Sequence, residues 1–467
     1  MLKKIVKKQT NEIIYKFNND EITYKELYEK ATYYGNYLKR QGDNPIIVYG
    51  HKSINTFISI FACIAAQRAY IPIDTCTPVD RIKRIIIQSN SSLILTDENI
   101  DIDNIEILKL NELEKYQNQE VKENSNEIAY IIFTSGSTGE PKGVPISYNN
   151  LFNFINWISN LSPLNEYKNV NVLNQASFSF DLSVSDIYYS ITNNHKLIAL
   201  DKKKQEEFNP IFEIMNDENI NLIVSTPSFM KLCLINKEFN INNYPSLKCL
   251  YFCGEQLEIS LVNKIYNRFP NIKIINAYGP TEATSAVSAI NIEKDMLEGD
   301  LLPCGLLSNC ATSLTIENNE IILSGPSVFS GYLSNYTGGY YQENNINYYK
   351  TGDIGYIEDG KIYCKGRKDS QIKYKGYRIE LGDIENNILS IPGVNSCAVI
   401  AKYQNEYTVK MLKAFIVLDE NYDLEEIKNK IRKTLPNYML PKQIIELTNL
   451  PINCNGKIDR KVLNNLW

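Results

Sequence analysis

Between Tyr24 and Asn276 the chain alternates short, wholly apolar runs with stretches whose apolar residues recur every three to four positions. Only a layered α/β fold buries both patterns, because the apolar runs need cover on two faces and the periodic stretches supply it. Leu27, Ala31, Tyr34 and Leu38 define one helical face, and Ile46 to Tyr49 then reads as a strand. The cycle repeats with a helix through Ala66, an extended Ala69 to Ile73, a helix over Arg81 to Gln88 and a buried strand at Leu93 to Leu95. Further on, Leu222–Ser225, Leu247–Phe252 and Ile272–Asn276 are short apolar runs between helical segments, as parallel strands of a doubly wound sheet require.

The pattern changes after Ile316, where short strands with close turns, such as Glu320–Leu323 and the pair around Asp359-Gly360, predict a β-rich subdomain. Beyond Asp369 helices are expected over Asp383–Leu389 and Leu424–Thr434, and strands over Val394–Ala401 and Lys413–Val417. A chain of 467 residues exceeds what one core holds. The expectation is a large multi-layer α/β N-terminal domain, residues 1–368, with parallel sheets and the β-rich subdomain, followed by a small mobile α+β C-terminal domain, 369–467. The polar stretch Asn111–Glu127 is expected to be a surface connection.

Composition narrows the function classes. A formal net charge of -5 disfavours nonspecific binding to nucleic acid or to anionic lipid, since neither contact would gain from counterion release. The polar N-terminus lacks the apolar core of a secretory signal, and the apolar Ile54–Ala66 is too short to span a bilayer, so a cytoplasmic protein without membrane insertion is expected. The 10 cysteines are scattered without a Cys-x-x-Cys pair, and there are only 2 histidines, which fits neither a disulfide framework nor a zinc site.

The sharpest local feature runs from Tyr130 to Val144: an apolar strand opening into a loop dense in Gly, Ser and Thr. Gly136, Gly139 and Gly143 allow backbone N–H groups to approach phosphate oxygens, the hydroxyls of Thr134, Ser135, Ser137 and Thr138 add donors, and Lys142 adds charge. It is not a Walker A loop, because Lys142 is followed by Gly143 rather than Ser or Thr.

With this loop, the stretches Ala69–Asp74, Phe180–Ser183, Asn276–Glu282, Tyr349–Asp353, Gly366–Asp369 with Gly376–Glu380, and Asn455–Arg460 make the sequence resemble the adenylate-forming superfamily of acyl-CoA synthetases, luciferases and nonribosomal peptide synthetase adenylation domains. The motifs occur in the superfamily's order along nearly the whole chain. The resemblance implies an ATP-dependent, AMP-forming ligase that uses Mg2+. It implies nucleotide contacts from Thr134, Ser135, Gly136, Ser137, Thr138, Gly139, Lys142, Asn276, Ala277, Tyr278, Gly279, Thr281, Asp353 and Arg367. Tyr278 has a face suited to stacking on adenine, Glu282 is a hard oxygen ligand suited to magnesium, and Asp353 can accept two ribose hydroxyls. Lys457 is implied as the catalytic cation for the α-phosphate and, with Glu282, completes the catalytic set; Asp369 is implied as the hinge.

By the same resemblance, Asp181 pairs with an α-ammonium, which points to an amino acid. The implied pocket comprises Asp181, Leu182, Ser185, Val224, Tyr251, Cys253, Ala277, Ser285 and Ala286, with Lys457 reaching the carboxylate. Several strings look like the D-alanine:D-alanyl carrier protein ligase branch, although Ser185, Val224, Tyr251 and Ser285 depart from its lining, so D-alanine is the first expectation and another small or polar amino acid the second. The chain ends 10 residues after Lys457, too soon for a carrier domain, so the expected acceptor is the phosphopantetheine thiol of a separate carrier protein. An aryl- or acyl-CoA ligase and a non-catalytic adenylation-like binding module are the competing readings.

Overall fold

A computed structural model describes residues 1–113, 126–135, 140–201, 204, 207–334, 336–368, 371–404, 408–419, 422–451 and 458–466. The loop residues Gly136, Ser137, Thr138 and Gly139, the hinge candidate Asp369 and the catalytic candidate Lys457 lie outside these, as does most of Asn111–Glu127, of which one end forms the short helix Leu110–Leu113. The chain divides into two compact units. The larger comprises Met1–Thr75, Ile86–Ile132 and Gly143–Lys365; the smaller comprises Cys76–Ile85, Phe133–Lys142 and Gly366–Trp467.

In the larger unit an eight-stranded sheet runs in the order Ser288–Asn291, Lys273–Tyr278, Cys249–Phe252, Leu222–Ser225, Asn171–Asn174, Lys196–Ala199, Ile13–Phe17, Asp20–Thr23. Its inner pairings are parallel and its two outermost are antiparallel. The apolar runs foreseen as parallel strands occupy the inner positions, where both faces are covered. The N-terminal hairpin, turning at Asn18 with φ 54°, buries the neighbours Ile14 and Tyr15 rather than alternate residues, so it shows no period of two to be read from pattern. A second sheet orders Glu106–Leu108, Leu93–Leu95, Ile46–Tyr49, Tyr70–Ile73, Ile128–Thr134 and Lys142–Ser147. The β-rich subdomain is an antiparallel sheet in which Glu320–Ser324 pairs with Ile346–Glu358.

Helices begin where the sequence supplies caps. Thr23 and Glu26 form a reciprocal capping box before Tyr24–Leu38, and Ser53 accepts from Thr56 N before Ile54–Ala66. These two helices approach so closely that a Cβ on Gly35 would sit 2.5 Å from Ala65 Cβ. Glycine is the only side chain that fits there.

The smaller unit holds the hairpin Gln371–Tyr374/Tyr377–Glu380, turning through Lys375 and Gly376 at positive φ, and a three-stranded sheet of Val394–Tyr403, Val409–Leu418 and Gln443–Glu446. The helices Leu381–Leu389 and Leu424–Thr434 contribute Ile384, Ile388, Ile427 and Ile431 to its own core. Residues 76–85 and 133–142 join this unit through Arg81, 3.6 Å from Asp383, and through Ser135, whose Oγ donates to Arg378 O at 2.8 Å. Among the described residues, no helix is long and apolar enough to cross a membrane.

One buried histidine carries a pH signature. His195 is fully enclosed, packs against Tyr189 with the rings tilted by 49° and accepts from Val170 N through Nδ1, and burial pushes its imidazole from 6.5 down to about 4. Between those values the unfolded chain binds a proton that the folded chain refuses, so stability must fall as pH drops through the window. This component amounts to about 3 kcal/mol at most. Denaturant melts at about pH 7 and about pH 4.5 should show wild type losing more stability than His195→Gln over the same interval; equal losses would remove His195 as the cause.

Candidate active site

The candidate residues of the larger unit gather beyond the carboxyl ends of the parallel strands, where open α/β sheets leave a crevice bounded by loops. The strand Asn171–Asn174 leads to Asp181, Cys249–Phe252 to Cys253, and Lys273–Tyr278 to the turn at Thr281–Ala283. Val224 stands opposite Tyr251 and Tyr251 opposite Ile275, so Val224, Tyr251 and Ala277 share one sheet face.

Asp181 occupies the N-cap position of the helix Leu182–Thr192, yet its side chain makes no capping hydrogen bond. Its carboxylate instead accepts from Thr281 Oγ1 at 2.6 Å. A buried carboxylate is costly unless cations or donors surround it, so this one is suited to receive an ammonium. The loop before it is held from below: Asp74 Oδ2 lies 2.7 Å from His51 Nδ1 and accepts from Ser177 Oγ at 2.6 Å. Lys52, fully buried, donates to the carbonyls of Asn174 at 2.8 Å and Gln175 at 2.7 Å.

Tyr278 donates to Asp353 Oδ2 at 2.6 Å, and burial followed by the charge of Asp353 pushes its phenol well above the usual tyrosine range. It therefore stays a donor at any physiological pH. Asp353 N in turn donates to Thr351 Oγ1. Glu282, 1% exposed, accepts from Tyr332 at 2.6 Å, and the Asn276 side chain donates to Pro303 O at 2.8 Å. Nucleotide candidates thus sit together with partners that hold their orientation.

Ser185 and Ser285 share a hydrogen bond of 3.0 Å, and Cys253 Sγ lies 4.0 Å from Ser285 O. Leu182 and Ala286, both buried, add apolar walls. The turn that presents Ser285 is strained, with Thr284 and Ser285 at φ 62° and 69°. Thr284 Oγ1, donating to Ser327 O at 2.9 Å, helps to hold it.

In the smaller unit, Thr134 O accepts from Arg81 at 3.5 Å and Ser135 Oγ both donates to Arg378 O and accepts from Glu380 N. Lys142 heads the strand Lys142–Ser147 rather than lying in the loop, and pairs with Glu380 at 3.3 Å. Arg367 ends the strand Lys361–Arg367. Here the expected phosphate-loop hydroxyl and cation are engaged by protein groups.

Sequence reasoning passed over Lys52, His51, Ser177 and Tyr332. A lysine or histidine after a strand is ordinarily solvated, so no local signal marks Lys52 or His51; for Tyr332 the preceding Gly331, at φ 106°, is the nearest sign of a shaped turn. Gly279 is constrained more sharply, because a Cβ there would meet Ala286 Cα at 2.5 Å and Ser285 O at 2.8 Å. Backbone on both sides has no room to yield, so Gly279→Ala is expected to cost about 1–3 kcal/mol in a denaturant melt; an unchanged midpoint would mean that the turn relaxes freely.

Comparison with known proteins agrees along the chain. A model of the AMP-binding enzyme family matches residues 2–333, and one of the AMP-binding enzyme C-terminal domain matches residues 383–457. A Listeria monocytogenes serotype 4a protein named D-alanine--D-alanyl carrier protein ligase is 38% identical, covering 96% of this chain and 95% of its own. A Staphylococcus epidermidis protein of the same name is 36% identical, covering 99% and 97%. Among solved structures, the Vibrio cholerae adenylation domain AlmE in complex with glycyl-adenosine-5'-phosphate superposes with a TM-score of 0.83 at 22% identity, over 99% of this chain and 96% of that one. Holo-PA1221, a nonribosomal peptide synthetase protein containing adenylation and PCP domains, gives 0.82 at 21% identity, over 97% and 81%. With a family model spanning most of its length and relatives above 35% identity along nearly all of it, the chain belongs to the AMP-binding enzyme family.

Proposed function

We propose that this protein is an AMP-forming amino acid:carrier protein ligase of the cytoplasm. A carboxylate oxygen of the amino acid attacks the α-phosphorus of ATP, the bond to the β-phosphate breaks, and pyrophosphate leaves. The phosphopantetheine thiolate of a separate carrier protein then attacks the acyl carbon and AMP departs. The D-alanine ligase names of the relatives make D-alanine the first candidate, with other small or polar amino acids next.

The observation that carries this reading is the Asp181 carboxylate, buried at a helix N-cap that it does not cap, beside the loop bearing Tyr278, Thr281 and Glu282. An α-ammonium would add an ion pair to this carboxylate, which an aryl or fatty acid would not. Tyr278 would stack on adenine with Asp353 on the ribose, and Thr134, Ser135, Gly136, Ser137, Thr138, Gly139, Lys142 and Arg367 would take the phosphates. Asn276, Ala277 and Gly279 would shape the adenine side of the site. Lys457 would neutralise charge building on the α-phosphate oxygens, a stabilisation greater in the transition state than in the ground state. Residues 1–368 would form the binding body and 369–467 a lid turning about Asp369.

A Mg2+ accompanying ATP would be held by one protein carboxylate together with phosphate oxygens and water. Glu282 would be that ligand, and the ion would neutralise phosphate charge.

Amino-acid-dependent exchange of labelled pyrophosphate into ATP tests the proposal. Asp181→Asn should lower kcat/KM for the amino acid by about 100-fold or more, since a buried ammonium loses its counter-charge, and Lys457→Ala should reduce exchange by orders of magnitude. Equal activity of the wild type on a deaminated analogue would make the protein an acyl ligase instead, and no adenylate from any acid would make it a binding module.

A further inference from the structure

The side-chain end of the amino-acid site is lined by hydroxyls. Asp181 and Ser185 are four residues apart at the start of one helix and therefore stand one turn apart on the same face. A short amino acid whose ammonium meets Asp181 points its side chain toward Ser185. There Ser185 and Ser285 share a hydrogen bond of 3.0 Å, both buried. Tyr251, 0% exposed, brings its phenol beside Ser185, within reach of a weak polar contact, but no hydrogen bond of normal geometry reaches its hydroxyl among the described residues.

A buried hydroxyl left unsatisfied in an otherwise apolar wall of Leu182, Val224, Ala277 and Ala286 is costly, and a ligand that supplies its missing partner is favoured by that amount. Asp186, the nearest charge along the helix, lies on the adjoining face and accepts from Asn174 at 2.8 Å. Hence the three hydroxyls are neutral donors and acceptors with no counter-charge among them, which disfavours an ionised side chain.

We propose that the amino acid carries a short hydroxylated side chain of the serine type, and that Tyr251, Ser185 and Ser285 read that hydroxyl. This rests on the activation reading above and, within it, favours the small polar amino acids over D-alanine. Alanine leaves the phenol unpaired; 2-aminobutyrate, with a methyl group in place of the hydroxyl, fills the same space and leaves it unpaired as well. A site built to bond a hydroxyl rejects the analogue lacking it far more strongly than an apolar pocket rejects an extra methylene.

Pyrophosphate exchange with the D and L forms of serine, alanine and 2-aminobutyrate decides the matter. One enantiomer of serine is expected to exceed the matching 2-aminobutyrate in kcat/KM by about 100-fold or more. Tyr251→Phe and Ser285→Ala, checked for folding by thermal melts, should bring that ratio down at least tenfold, chiefly through the loss of activity on serine. Alanine or 2-aminobutyrate activated as well as serine, or a ratio unmoved in both folded variants, overturns the hydroxyl assignment while leaving amino-acid activation intact. No exchange with any amino acid overturns the activation reading itself.

Discussion

The ammonium of Lys52 is buried in the larger unit and donates to the carbonyls of Asn174, Gln175 and Leu200, at 2.8, 2.7 and 3.3 Å. Removing a charge from water is expensive, and such a group persists only where every donor is used. Here the donors tie together the ends of two adjacent parallel strands, Asn171–Asn174 and Lys196–Ala199, at the point where the chain turns toward Asp181. Burial lowers the lysine's proton affinity and raises that of nearby Asp186, which is consistent with a pair held inside the fold rather than at its surface. The His51–Asp74–Ser177 chain repeats the device one step along, so the approach to Asp181 is fixed by polar bonds as well as by packing.

The same principle shapes the opposite wall. Gly279 permits contact with the backbone of Ser285 and Ala286 that no other residue would allow, and the positive φ of Thr284 and Ser285 keeps that contact at the cost of strain. Tyr278 and Tyr332 then orient two carboxylates, Asp353 and Glu282, from within the protein. Preorganised carboxylates and hydroxyls of this kind lose little on meeting a ligand, because their geometry is settled in advance.

Much of this was legible in the chain. The helices Tyr24–Leu38 and Leu424–Thr434 and the strands Ile46–Tyr49 and Leu222–Ser225 follow from periodicity and caps, since local pattern and tertiary environment agree there. The antiparallel hairpin Ile13–Thr23 was not, because its residues are half-exposed and carry no period, and its place at the sheet edge is set by pairing with Lys196–Ala199. For the site, motif order marked Asp181, Tyr278, Glu282 and Asp353, whereas Lys52, His51 and Tyr332 carry no signal of their own.

Sequence alone determined the alternation of layers, the hydroxyl- and glycine-rich loop and the residue types available for binding a nucleotide and an acid, because these depend on local pattern and chemistry. Tertiary structure alone decided that Asp181 leaves its cap for Thr281, that Ser185 meets Ser285 across 100 residues of chain, and that the Tyr251 hydroxyl is buried without a well-formed hydrogen bond among the described residues. Those outcomes arise from which strands lie side by side and how tightly their loops close, and long-range packing has no counterpart in the order of neighbouring residues.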